Sequence, residues 1–412
     1  MGTKKFVLGI DLGTSGVRIA ILNNNYSLEY FSSNKYQEGL EHCEDWKRCC
    51  INLVSKIPFN IKNNLIACSI DGTSGTLMGS DYKGNSIGNA LPYSKRYLTD
   101  KKHIKAYFEN QKGLLSEYES IARAIHIINQ HGENILLRHQ ADWISGWLLN
   151  NWSFGEEGNN IKLGWDLSTK SWPVQLKNSS WSNALPRIVP SGSLMGFISP
   201  NAAYELGLPR DLKIIAGTTD SNAAVLAANP KFSEGIAVLG STIVIKRYTN
   251  LPITCSGVTN HKVGDKWLTG GASNAGCAVL KKFFSDYDLV ELSRQIDPDS
   301  DSGLSYVPLI SKGERFPVND PFLEPLLTPR PISDSLFLHG LLEGLAKIEA
   351  AGWRKLRELG LESPSKIITI GGGSRNPQWR RIRERLIGIP IQTCSKQPAE
   401  GVARLALKAV KR

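Results

Sequence analysis

The stretch Phe6-Val-Leu-Gly-Ile-Asp-Leu-Gly-Thr-Ser-Gly-Val-Arg-Ile-Ala-Ile-Leu22 decides the fold. Two apolar runs, Phe6 to Leu12 and Val17 to Leu22, flank a turn of glycine and hydroxyl residues, the pattern of a tight β-hairpin. A third candidate strand, Tyr26 to Ser32, follows Asn23-Asn24-Asn25. Glycines let backbone N–H groups come close to a phosphate, and a hydroxyl such as that of Thr14 adds a donor. One such turn is more often only a turn.

Working outward, the pattern repeats. Leu65 to Ile70 runs into Asp71-Gly-Thr-Ser-Gly75, and Lys213 to Ala216 runs into Gly217-Thr-Thr-Asp220. Gly235 to Leu239, Gly240-Ser241-Thr242 and Ile243 to Lys246 repeat the opening hairpin. Lys366 to Ile370 ends at Gly371-Gly-Gly-Ser374. Helices are expected over Glu44 to Ser55, most of 100–150, Ser221 to Ala228 and Leu336 to Leu359, with a long loop over Ser311 to Arg330. Strands alternating with helices argue for α/β layering. Asn229-Pro230 breaks the chain between the two halves. The expected domains are 1–228, with 399–412 packing back on it, and 229–398.

At ~100–200 residues per domain, a chain of 412 residues suits two domains. Hydrophobic residues make up 41%, enough for a sizeable core. No apolar run approaches the ~20 residues of a membrane span, and no secretory leader is read at the start. The seven cysteines form no Cys-x-x-Cys pair, so reduced thiols in a cytoplasmic setting are expected. His126 and His131 are read as ordinary helix or surface histidines. Lys plus Arg outnumber Asp plus Glu by 49 to 38. The basic residues are scattered. The densest group, Arg380, Arg381, Arg383 and Arg385, is expected on the outer side of an amphipathic helix. No nucleic-acid-binding motif accompanies them, so neither nucleic acid nor membrane is an expected partner.

Aspartates and glycine turns at several strand ends suit phosphoryl transfer, which needs positioning and neutralised charge. No Walker loop is present, and no G-x-G-x-x-G opens a helix after a strand. Gly9-Ile-Asp-Leu-Gly-Thr-Ser-Gly16, Ser69-Ile-Asp-Gly-Thr-Ser-Gly-Thr76, His139-Gln-Ala-Asp-Trp143, Asn159 to Asp166, Ala216-Gly-Thr-Thr-Asp-Ser221, Gly270 to Gly276, Gly313 to Pro317 and Gly371 to Trp379 stand in one order. Together they resemble the FGGY carbohydrate kinases, and within them the compact D-ribulose kinase (xylulose-kinase-like) branch.

The resemblance implies an α/β fold of the two-domain actin-like ATPase (ribonuclease H-like) type, with a cleft between duplicated domains. The first domain would bind sugar and the second nucleotide, with ATP and Mg²⁺ as cofactors, in a monomer or homodimer. The implied reaction is phosphorylation of a pentulose at its terminal hydroxyl, D-ribulose first. D-xylulose or another small ketose or polyol is the alternative, and an actin-like ATP-binding switch is the alternative of another class. Asp220 resembles the general base. Asp11 resembles the Mg²⁺-side carboxylate and a sugar contact, joined by Ser74 and Asp142. Gly13, Thr14, Gly240, Ser241 and Thr242 would line the phosphates. Gly372, Gly373, Asn376 and Trp379 would hold the adenosine, with core packing the other reading of Trp379. Ser94, in Tyr93-Ser-Lys-Arg96, stands where related pentulose kinases carry a sugar-binding aspartate, so a weaker grip on sugar is expected.

Overall fold

The computed structural model describes residues 4–95, 97 and 120–411. The chain divides into two compact units: residues 1–227 with 262–264 and 396–412, and residues 228–261 with 265–395.

In the first unit β1 (Phe6–Leu12), β2 (Gly16–Asn23), β3 (Leu28–Lys35) and β4 (Leu65–Gly72) form the centre of a sheet. After β5 (Leu77–Ser80), β6 (Ser86–Leu91), β7 (Leu136–His139), β8 (Phe154–Glu156) and β9 (Arg187–Val189), the chain adds β10 (Leu194–Phe197) and β11 (Lys213–Thr219). The order is β10-β11-β4-β1-β2-β3. β1 to β3 are an antiparallel meander, as the opening turns predict, while β4 joins β1 and β11 joins β4 in parallel.

Alternate residues of β1 serve two cores. Phe6, Leu8, Ile10 and Leu12 pack with Trp46, Leu53 and Ile144. Val7 packs with Ala403, Ala406 and Leu407 of the helix Pro398–Lys411. That helix lies so close that a Cβ on Gly9 would stand 2.1 Å from the Ala399 carbonyl oxygen. Burial on both faces explains why β1 and β4 read as nearly continuous apolar runs.

The second unit repeats the plan. β12 (Gly235–Leu239) and β13 (Ile243–Thr249) make the second hairpin. β14 (Val258–Val263), β15 (Lys266–Ala272), β16 (Ile367–Ile370) and β17 (Ile391–Thr393) complete the order β14-β15-β13-β12-β16-β17. As β4 does with β1, β16 pairs in parallel with β12. The helices Asp334–Glu358 and Pro377–Ile387 cover the sheet.

The helices expected over Glu44 to Ser55, Ser221 to Ala228 and Leu336 to Leu359 are present within two residues at each end. Of the helical stretch expected over 100–150, residues 100–119 lie outside the described residues. The remainder holds the helices Ser120–His131 and Gln140–Leu149 with β7 between them. His126 and His131 fall in the first of these helices.

One expectation is corrected. Arg383 does not decorate the outside of its helix but is buried. Its guanidinium donates to both oxygens of buried Glu349, from Nε at 2.6 Å and Nη2 at 2.8 Å, and from Nη1 to Thr369 at 2.9 Å. Arg385, mostly buried, donates to Glu343 at 2.5 Å. A matched carboxylate makes this burial tolerable where a lone charge would not be.

Candidate active site

Three neighbouring strands of the first unit deliver aspartates at their C-terminal ends. Asp11 on β1 lies opposite Asp71 on β4, and Asp71 lies opposite Thr218 on β11. Two residues on, Asp220 opens the helix Asp220–Ala228, where the positive end of the helix dipole favours a carboxylate.

Asp11 and Asp71 are buried and Asp220 half-buried. Asp11 accepts from Arg18 Nη1 at 3.1 Å, and Asp220 accepts from the Ser221 amide at 2.7 Å. Burial raises the Asp11 carboxyl above its ordinary range, and Arg18 pulls it partly back. Asp71 is pushed well above its ordinary range, first by burial and then by Asp11 and Asp220. Neither oxygen of Asp71 has a hydrogen-bond partner. Beside Asp11 it faces another acceptor, so the two bond only through a shared proton. Sequence reading noted Asp71 as a strand end but assigned it no role. The signal was there: Ile10-Asp11 and Ile70-Asp71 end parallel strands alike.

The β1–β2 turn closes with the Gly13 amide donating to the Gly16 carbonyl at 2.9 Å, leaving Thr14 and Ser15 exposed. In the second unit the Gly240 amide donates to the Thr242 carbonyl at 3.2 Å and Ser241 is exposed. In both turns the glycine amide is thus engaged within the turn, and the hydroxyl residue after it is exposed.

The expected sugar contacts divide. Ser74 is half-buried on the 73–76 turn, and its carbonyl accepts from Lys162 at 3.4 Å. Asp142 is buried with both oxygens engaged, one by the Glu156 amide at 2.9 Å and the other by Asn160 Nδ2 at 3.0 Å. It holds the 154–160 turn in place. Ser94 is exposed, whereas its neighbour Tyr93 meets Thr14, hydroxyl to hydroxyl at 3.2 Å.

The second unit contains a cavity of about 560 Å³ lined by Gly240, Ser241, Gly372, Gly373, Asn376 and Trp379, within the ~300–1,000 Å³ of small-molecule sites. Thr242 does not line it. Cys277, Lys281, Asp286 and Leu289, which sequence reading missed, do. Asn376 is largely spent on structure: Oδ1 caps the Trp379 amide at 3.0 Å and Nδ2 donates to Ser293 at 2.8 Å. Trp379 is packed in the core, yet its buried Nε1 has no hydrogen-bond partner. A Cβ on Gly373 would stand 2.5 Å from the Trp379 ring, so a glycine is required there.

Among the described residues, no group of three or more His, Cys, Asp or Glu is placed to hold a metal ion. Among them, too, no helix is long and apolar enough to cross a membrane.

Residues 212–410 match the model of the C-terminal domain of the FGGY family of carbohydrate kinases. The chain is 23% identical to a xylulose kinase of Bacillus subtilis, over 98% of this chain and 88% of that protein. It is 25% identical to an L-fuculokinase of Escherichia coli, over 94% and 89%. A xyloylose kinase structure from Brucella ovis superposes with a TM-score of 0.86 at 18% identity, covering 98% of this chain and 90% of that one. The fold is accordingly the two-domain actin-like ATPase fold.

Proposed function

We propose that this chain is a member of the FGGY family of carbohydrate kinases, whose C-terminal domain model it matches, and transfers the γ-phosphoryl group of ATP to the terminal hydroxyl of a pentulose. D-ribulose is the first choice and D-xylulose the alternative. The observation that carries the reading is the row of carboxyls at the ends of β1, β4 and β11. Asp220, less buried than its two neighbours and at the start of a helix, is the carboxylate most open to an incoming hydroxyl. Asp220 therefore takes the proton as the sugar hydroxyl attacks, and the bond from the γ-phosphorus to the bridging oxygen breaks to release ADP.

Family membership brings ATP with Mg²⁺, and the residues fit a hard cation. Asp11 would hold it, and the adjacent Asp71 has two buried oxygens without a partner. With so few protein ligands, most of the coordination would come from water and phosphate, as is usual for Mg²⁺. Bound there, it neutralises phosphate charge. In the first unit Gly13 and Thr14 would meet phosphate oxygens; in the second, Gly240 and Ser241 line the cavity. The second unit's cavity takes the adenosine, with the Trp379 indole N–H as an uncommitted donor.

The test is a panel of D-ribulose, D-xylulose, L-fuculose and glycerol, with ADP release followed for each. The highest kcat/KM is expected for D-ribulose. D-xylulose turnover with D-ribulose inert would overturn the finer assignment, and inactivity with all four would overturn the pentulose reading.

A further inference from the structure

We infer that Tyr93 is a positioning residue that ties the phosphate hairpin to the Asp71–Thr76 motif; this rests on the proposed reading of that hairpin as a phosphate site. The segment that carries it is clamped from below. Arg123, fully buried, donates from Nε to the Pro92 carbonyl at 3.0 Å and from Nη2 to the carbonyls of Tyr93 at 2.6 Å and Lys95 at 2.9 Å. A guanidinium that donates to three carbonyls of one segment holds the backbone from which the Tyr93 ring projects.

From there a circuit of hydrogen bonds runs through the unit and returns to the hairpin. Tyr93 OH meets Thr14 Oγ1 at 3.2 Å, and the Tyr93 amide donates to Thr76 Oγ1 at 3.3 Å. The hydroxyls of Thr76 and Thr73 are 2.7 Å apart, and Thr73 donates to Gln140 Oε1 at 2.8 Å. Gln140 Nε2 donates to Tyr36 OH at 3.1 Å, and the Tyr36 amide donates to the Ser15 carbonyl at 3.1 Å. Two tyrosines thus hold Thr14 and Ser15, the two exposed residues of the turn.

The hydroxyl pair has a directional consequence. A threonine hydroxyl has one proton and two acceptor sites, and a phenol is the stronger acid. When Tyr93 donates to Thr14, the Thr14 proton is left for a phosphate oxygen, and a chain of hydrogen bonds polarises its members. Tyr93 thereby orients the donor of the phosphate loop.

The experiment titrates a non-hydrolysable ATP analogue with Mg²⁺ into the wild type, Tyr93→Phe, Thr14→Ala and the double variant. Tyr93→Phe is expected to weaken the analogue about 2- to 12-fold, the value of one hydrogen bond. In the Thr14→Ala background it should add nothing, a non-additivity that general destabilisation would not produce. Wild-type affinity in Tyr93→Phe, or additive losses, would overturn the inference. Amide exchange at residues 13–16 without ligand gives a second reading: faster exchange in Tyr93→Phe supports the tether and unchanged exchange refutes it. If the wild type binds the analogue but turns over no ketose, the kinase reading falls while the Tyr93 inference is still decided by the affinities.

Discussion

β1 and β4 of the first unit and β12 and β16 of the second are the same pair of parallel strands built twice. In the first pair Asp11 lies opposite Asp71; in the second, Val238 lies opposite Ile370. One sheet plan therefore carries acids at a strand end in one unit and aliphatic side chains in the other. The second unit does bury charge, but as the matched pair Arg383 and Glu349. The first unit buries Asp71 with no hydrogen-bond partner. Matched buried charge serves the fold at little net cost, whereas an unmatched buried carboxyl costs stability and points to chemistry.

The sharpest way to break this comparison is Asp220→Asn. An amide cannot accept the hydroxyl proton, so kcat is expected to fall by ~10²–10⁴ while nucleotide binding persists. Steady-state kinetics beside analogue titration checks this. Wild-type kcat in the variant would remove the first unit's claim to the chemistry.

Next in size is Arg383→Leu in the second unit, which leaves Glu349 buried and unpaired. Breaking a buried pair costs about 3–5 kcal/mol, so a clear drop in denaturant midpoint is expected. A stability loss no larger than that of an exposed arginine, measured by urea unfolding, would mean that the pair is not structural.

Asp71→Asn sharpens the contrast through pH. Because the Asp71 carboxyl is raised in the fold, the native state holds this proton more tightly than the unfolded chain does. The resulting stabilisation is complete below the ordinary aspartate range, about pH 4. It is lost as pH rises through the raised value. The variant does not titrate at this position. With metal chelated, its melting temperature relative to the wild type should therefore increase as pH rises from about 4 through the raised value. Parallel melting curves across that range would show that burial does not perturb Asp71. Val238 and Ile370 can give no such slope.

Much of this contrast was legible before the fold was known. The hairpins at Gly13–Ser15 and Gly240–Thr242 were readable because glycine and hydroxyl residues interrupt strand-length apolar runs. So was the helix after Asp220, because small residues follow an acid at a strand end. Three things were not readable. Arg383 looked exposed because helical periodicity does not reveal that Glu349 waits on another helix. The partners of Asp142 were hidden because sequence does not show that the Glu156 amide and Asn160 engage its two oxygens. Tyr93 was not singled out because sequence shows neither the Arg123 clamp on its segment nor the Thr14 hydroxyl beside it.

That last point gives the smallest expected effect. If position 94 reached the sugar, Ser94→Asp would restore the carboxylate of related pentulose kinases, and charge-assisted hydrogen bonds, roughly twice as strong as neutral ones, would lower KM. The Ser94 side chain is exposed instead. There an added carboxylate stays hydrated, gains little from a neutral sugar hydroxyl and is screened by salt. KM for D-ribulose in Ser94→Asp is therefore expected within about twofold of wild type. Tyr93→Phe, one residue earlier and conservative in shape, should weaken nucleotide binding measurably. The two variants assayed side by side separate the readings: a tenfold fall in KM for Ser94→Asp with no change for Tyr93→Phe would place position 94 in the sugar site and return the role to the motif alignment.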